Sequence, residues 1–192
     1  PLPALWNCRM TLPAGKMQEN RKKKIRRERK RMKPHLELYS HLEEGRIPSA
    51  VMGSLSLAVN NCLPAVLALP EGPVPVLSGL EEVEISIVDD DSIRDVHARF
   101  LDDPSETDVI TFPHGDGLGE IVVSYDTAVR QAVEYNEPVC RELFRYMVHG
   151  LLHLHGYIDT EPEERERMFS HQEPLVGKFG QELAGMSFPD NA

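Results

Sequence analysis

The sequence predicts an α/β or α+β domain, with one small mixed β-sheet packed against helices. Short stretches in which apolar and polar residues alternate lie between longer stretches whose apolar residues fall at helical spacing. The two kinds are interleaved along the chain, and no segment is repeated. Apolar residues make up 41% and charged residues 27% of the 192 residues, enough for one buried core and a single domain with a tail.

The first alternating stretch, Leu36-Glu-Leu-Tyr39, reads as a strand. Residues 48–69 form a helix by their apolar spacing, and Pro48, which has no amide hydrogen to lose, suits its first turn. Residues 70–79 are rich in Pro and Gly and read as a loop. Val83-Glu-Ile-Ser-Ile-Val88 alternates and then turns fully apolar, as a half-buried strand does, and ends at Asp89-Asp90-Asp91. Ser92 is expected to cap a helix over 92–101. Beyond the acidic loop 102–106, Asp108-Val-Ile-Thr-Phe112 reads as a strand stopped by Pro113. After a turn through Gly115-Asp-Gly117, Ile121-Val-Val123 is a short strand and residues 126–134 an amphipathic helix. Residues 139–155 carry helical spacing through Leu143, Met147, Leu151 and Leu154, and Gly156 sits where that helix stops. A last helix runs from Glu161, behind Thr160 as cap, toward Leu183.

The net charge of −10 conceals a division. Residues 1–33 hold 12 Lys and Arg against 2 Asp and Glu, whereas residues 34–192 hold 9 against 29, so the nets are +10 and −20. Between Arg21 and Lys33 ten residues are basic and only Ile25 and Met32 are apolar. Such a run cannot bury a core and reads as disordered or as a solvated helix. It is either an RNA- or ribosome-binding arm, gaining affinity from phosphates by releasing counterions, or a non-native extension, with Met17 and Met32 as alternative starts. The chain is therefore divided into a basic extension, 1–33, and a domain, 34–192. No uninterrupted apolar run approaches the ~20 residues that cross a bilayer, and the basic run lacks the order of a secretory signal. A cytoplasmic protein without a membrane partner is expected. Cys8, Cys62 and Cys140 form no C-x-x-C pair and suggest neither a disulfide framework nor a cysteine zinc cluster. Any metal must be held by histidines and carboxylates.

Such a set exists in His149-Gly-Leu-Leu-His153. Two histidines four apart project from one helix face in successive turns and can close on one cation, most readily zinc. A pair at this spacing also occurs as two satisfied structural histidines. Gly150 admits a strand or substrate close to the helix beside the first ligand. Gly156 lets the chain fold back, so that Asp159 can supply a third ligand, and three protein ligands leave a fourth position open, as in catalytic zinc sites. His155, two residues beyond His153, faces another side and ranks below Asp159. His35, His41, His97, His114 and His171 follow no pattern. A protease general base would follow the first histidine, and Gly150 occupies that place, which disfavours peptide hydrolysis.

On these residues the chain resembles the YbeY family from about Glu82 to Val176. The family signature H-G-x-L-H-L-x-G-Y-D-H is matched by His149, Gly150, Leu152, His153, Leu154, Gly156 and Tyr157. Thr107-Asp-Val-Ile-Thr-Phe-Pro113 resembles its T-D-V-L-S-F-P, and Leu118-Gly-Glu-Ile-Val-Val-Ser124 its L-G-D-I-x-I-S. The resemblance implies a zincin-like metal helix holding one zinc ion per chain. It also implies endonucleolytic cleavage of single-stranded RNA during rRNA maturation, with the ribosome or its small subunit as partner.

The departures define a second expectation. Ile158-Asp159 stands where the family signature ends in Asp-His, so the third ligand becomes the Asp159 carboxylate. An arginine that family members carry before the T-D-V block falls at Leu101, a typical asparagine at His97 and the G-D-I aspartate at Glu120. A guanidinium lost at Leu101 removes a clamp for phosphate. The expected activity is a zinc-dependent endoribonuclease with His149, His153 and Asp159 as ligands. Glu120, Asp108 or His114 would position water or protonate the leaving oxygen. The alternative is a ribosome assembly or binding factor that keeps the metal-site fold and has lost turnover.

Overall fold

A computed structural model describes residues 33–114, 116–186 and 188, excepting the Leu101 side chain. The basic extension falls outside the described residues save for Lys33, as does Gly115 of the expected turn.

Strand β1 (His35–Ser40) leads through a loop to helix α1 (Ser49–Leu67). Pro48 is the residue before that helix, with extended backbone at φ −58° and ψ 143°, so it caps the first turn from outside. A 3-10 turn (Leu77–Gly79) precedes strand β2 (Glu82–Val88). Helix α2 (Asp90–Leu101) follows at once. Its cap is Asp89, whose carboxylate accepts the Ser92 amide at 2.8 Å, so Ser92 is the donor in this cap where it was expected to be the acceptor. Strands β3 (Val109–Pro113) and β4 (Leu118–Ser124) form a hairpin, and Ser124 caps helix α3 (Tyr125–Tyr135) by accepting the Thr127 amide at 3.0 Å. Strand β4 is longer than the expected 121–123 because its outer residues pair on both sides.

Helix α4 (Val139–Leu154) carries the histidine pair, and helix α5 (Pro162–Phe179) with a 3-10 turn (Glu182–Gly185) closes the fold. The α5 cap is Glu161 in a reciprocal box with Glu164, while the Thr160 hydroxyl, expected as cap, instead donates to the Glu164 carboxylate at 2.8 Å.

The sheet runs β1-β2-β4-β3, with β1, β2 and β4 parallel and β3 antiparallel to β4. This is the mixed α+β sheet the sequence predicted. Alternation along β2 and β4 sends Val83, Ile85, Ile87, Ile121 and Val123 into the main core beneath α1 and α4. Val88, Ile110 and Val122 turn to the opposite face, where α2 covers them through Ile93 and Val96. Helix α4 is buried almost all round, since it packs on α1, α3, α5, β3 and β4. Helix α1 is long and apolar enough, by length and composition, to cross a bilayer, yet its Leu55, Val59, Cys62, Leu63 and Val66 are seated in this core. Burial pushes the Cys62 and Cys140 thiols up to about 12 and about 11, so both are inert packing groups.

Candidate metal centre

Two glycines explain how α4 brings its histidines to a site. At Gly150, between them, a Cβ would lie 2.5 Å from Cγ2 of Ile121, so only glycine lets α4 lie this close to β4. The close neighbour is therefore a strand of the protein's own sheet. At Gly156, two residues beyond the last helical residue Leu154, the backbone turns through φ +95°. The chain reverses there and returns Asp159 to the helix end.

His149, His153 and Asp159 meet, with one ligand-type atom from each within 4.8 Å of the others. The Nε2 atoms of His149 and His153 are 2.9 Å apart, and the Asp159 carboxylate lies 3.5 Å from the first and 4.0 Å from the second. The outer nitrogens fix what the inner ones present. His149 Nδ1 is 2.8 Å from Oε1 of Gln172, and His153 Nδ1 is 3.0 Å from the Tyr157 carbonyl oxygen. Both partners accept only, so both Nδ1 atoms carry the proton and both Nε2 atoms present bare lone pairs. Two facing lone pairs with a carboxylate beside them repel one another unless a cation or a proton lies between. Burial, and next the neighbouring His149, push His153 below the ordinary histidine range, which disfavours the proton. The donor set thus fits a divalent ion with nitrogen and oxygen ligands, zinc among them.

The remaining predicted residues lie along the β3–β4 hairpin. Asp108 precedes β3, held by the Val109 amide at 2.9 Å, and its negative charge is felt at His153. Glu120 shares the face of Val122, and its carboxylate lies 3.2 Å from His114 Nε2, beyond the end of β3. Those two therefore pair with each other on the α2 side, whereas the histidine pair projects from α4 on the other side. His155 is turned away and buried, its Nε2 3.1 Å from the Leu69 carbonyl. Leu101 ends α2, and its side chain lies outside the described residues.

Two contributors escaped the sequence reading. Gln172 belongs to a buried stripe of α5 with Met168, Leu175 and Val176, so a lone amide among apolar positions at helical spacing was the signal to follow. The Tyr157 carbonyl had no such signal, because main-chain acceptors are alike in sequence. A cavity of about 320 Å³ opens beside His153, lined also by Val74, Val76, Val109, Thr111 and His97.

Comparison with known proteins is consistent with this geometry. The family model described as Endoribonuclease YbeY matches residues 55–180. A Sinorhizobium fredii protein named Endoribonuclease YbeY is 32% identical over 155 residues, covering 76% of this chain and 89% of its own. Proteins of the same name from Bacillus subtilis and Myxococcus xanthus are 37% and 41% identical over 114 and 113 residues. Those matches cover 52% and 54% of this chain, and 73% and 38% of the respective relatives. The solution structure of a Thermotoga maritima protein aligns with a TM-score of 0.50 at 22% identity, over 82% of this chain and 99% of its own, and supports the fold.

Proposed function

This chain belongs to the YbeY family, and from that premise we propose that it is a zinc-dependent endoribonuclease that cuts single-stranded RNA in rRNA maturation. The observation that carries the reading is the His149–His153–Asp159 cluster, with both inner nitrogens bare and both outer ones held. A bound divalent ion supplies Lewis acidity, polarising water and offsetting phosphate charge. Gln172 and the Tyr157 carbonyl hold the two imidazoles in the ligating tautomer. Asp108, whose charge is felt at His153, is the acid–base candidate. Its carboxylate takes the proton of the attacking water, the water oxygen bonds to phosphorus, the P–O bond to the leaving ribose oxygen breaks, and the proton passes to that oxygen. Glu120 and His114, paired across the sheet, belong to substrate contacts more readily than to this transfer. The basic extension supplies the attraction that an acidic domain denies to a polyanion. The setting is cytoplasmic, with the ribosome or its small subunit as partner.

A second reading has its own observation, the carboxylate at Asp159 where the family has a histidine. In it the protein is an assembly factor whose metal is structural. Chelation separates the two. Chelator-treated protein should lose cleavage of single-stranded RNA and regain it on zinc addition under the first reading; under the second, zinc restores thermal stability with no cleavage at any stage.

A further inference from the structure

Strand β3 ends the sheet, so one of its edges is open. The amide of His114 and the carbonyl of Asp108 bond to β4 at 2.9 Å each, so the even-numbered main-chain groups face β4 and those of Val109, Thr111 and Pro113 face outward. The cavity beside His153 straddles this open edge, with α4 and the Val74–Val76 loop on one side and His97 of α2 on the other. One turn beyond His97, on the same face of α2, stands Phe100, 67% exposed. Its ring meets Phe112 edge-on, with centroids 5.2 Å apart at 61°. Phe112 is itself packed on the buried cluster of Val88, Ile93, Ile110 and Val122 and lies 6.2 Å from the His114 ring. An anchored ring therefore holds a largely exposed outer ring, one helical turn from His97, which lines the cavity together with the metal-site His153.

Resting on the endoribonuclease reading, we propose that Phe100, backed by Phe112, is a stacking subsite for an unpaired base of the RNA strand cut at His149, His153 and Asp159. The strand crosses the open edge of β3 through the cavity, its phosphate on the α4 side and the stacked base on the α2 side. Charge favours this occupant's mode of binding. Residues 34–192 carry a net of −20, so the domain's overall charge does not draw in a polyanion, and stacking on an aromatic ring is a contact that adds affinity without it. Arg99, next to Phe100 in sequence, is exposed and 3.7 Å from Asp95, and such a surface pair adds little. A base within a duplex has no free face for Phe100, so the subsite selects single strands.

The test is binding of a short fluorescent oligouridylate to the full chain, with chelator present so that the strand stays intact. Phe100→Ala should weaken binding by about 10-fold, the scale of one lost base–aromatic stack, and by the same factor at low and high salt. Phe100→Trp should bind at least as tightly as wild type, and affinity for duplex RNA should be unchanged in both variants. Because Phe100 is mostly exposed, its melting temperature serves as a control for folding. Equal binding of the oligouridylate by wild type and Phe100→Ala would overturn the subsite and leave the nuclease reading standing. No binding by wild type, with chelator or with zinc, would overturn both.

Discussion

Two imidazole nitrogens 2.9 Å apart, each with its lone pair turned toward the other, are a contact that needs something between them. Their tautomer is set from behind, by an amide oxygen and a main-chain carbonyl. Gln172 is buried and reaches His149 from 23 residues away, so its loss frees one ring to rotate or to change tautomer. Gln172→Leu, close in volume, is expected to keep the fold and lower zinc affinity by about 10- to 100-fold, the usual scale for a partner behind a ligating histidine. Competition with a chromophoric chelator measures it, and an unchanged affinity would remove Gln172 from the site. The same carbonyl and amide contacts show where sequence reading stopped. His149 and His153 were legible because their relation is local to one helix, and Asp159 because Gly156 announced a reversal. The Gln172 contact depends on how α5 docks on α4, which spacing along the chain does not specify.

At the scale of the element, α4 is positioned by one close approach and one charged clamp. Gly150→Ala places a methyl group 2.5 Å from a fully buried Ile121 side chain. The expected loss is about 1–3 kcal/mol of stability from overpacking, read as a lower midpoint in urea, with metal affinity falling as the helix moves off the sheet. The clamp is Arg145, which binds the buried Glu142 and, through two contacts of 3.0 and 3.2 Å, Glu173 of α5. Burial pushes the Glu142 carboxyl above the ordinary range even with Arg145 beside it. Arg145→Met leaves that carboxylate unpaired, at a cost of about 3–5 kcal/mol near neutral pH. The sign follows from the raised value: the folded state binds the Glu142 proton more readily than the unfolded chain does, so ionisation destabilises the fold as pH rises. The gap between variant and wild type should therefore narrow toward acid pH and widen toward neutrality in denaturant titrations. A gap independent of pH would mean that Glu142 carries none of it. Elements of this kind were predicted closely in type and order. The caps at Asp89 and Glu161 moved from the expected Ser92 and Thr160 because a carboxylate three residues from an amide outcompetes a hydroxyl at these helix starts.

For the whole molecule, the division of charge is as informative as the fold. An acidic domain with a nuclease site works against its own substrate unless another part of the chain attracts RNA. Removing residues 1–33 is expected to lower affinity for single-stranded RNA and to flatten its dependence on salt, since each lysine or arginine that leaves a phosphate takes one counterion-release contribution with it. Unchanged affinity and salt slope would assign the extension no part in RNA binding. The sheet order made a further difference that local patterns did not show. Glu120, Asp108 and His114 looked equivalent in sequence, and only the folded arrangement pairs Glu120 with His114 and brings the Asp108 charge within electrostatic reach of His153. In the proposed function, His149, His153 and Asp159 together hold the metal that serves RNA cleavage. Zinc content and cleavage of single-stranded RNA, measured on the same preparations of wild type and His153→Ala, test it most directly. One zinc per chain with cleavage is expected in wild type and neither in the variant; cleavage by His153→Ala at the wild-type rate would overturn the metal-centred mechanism.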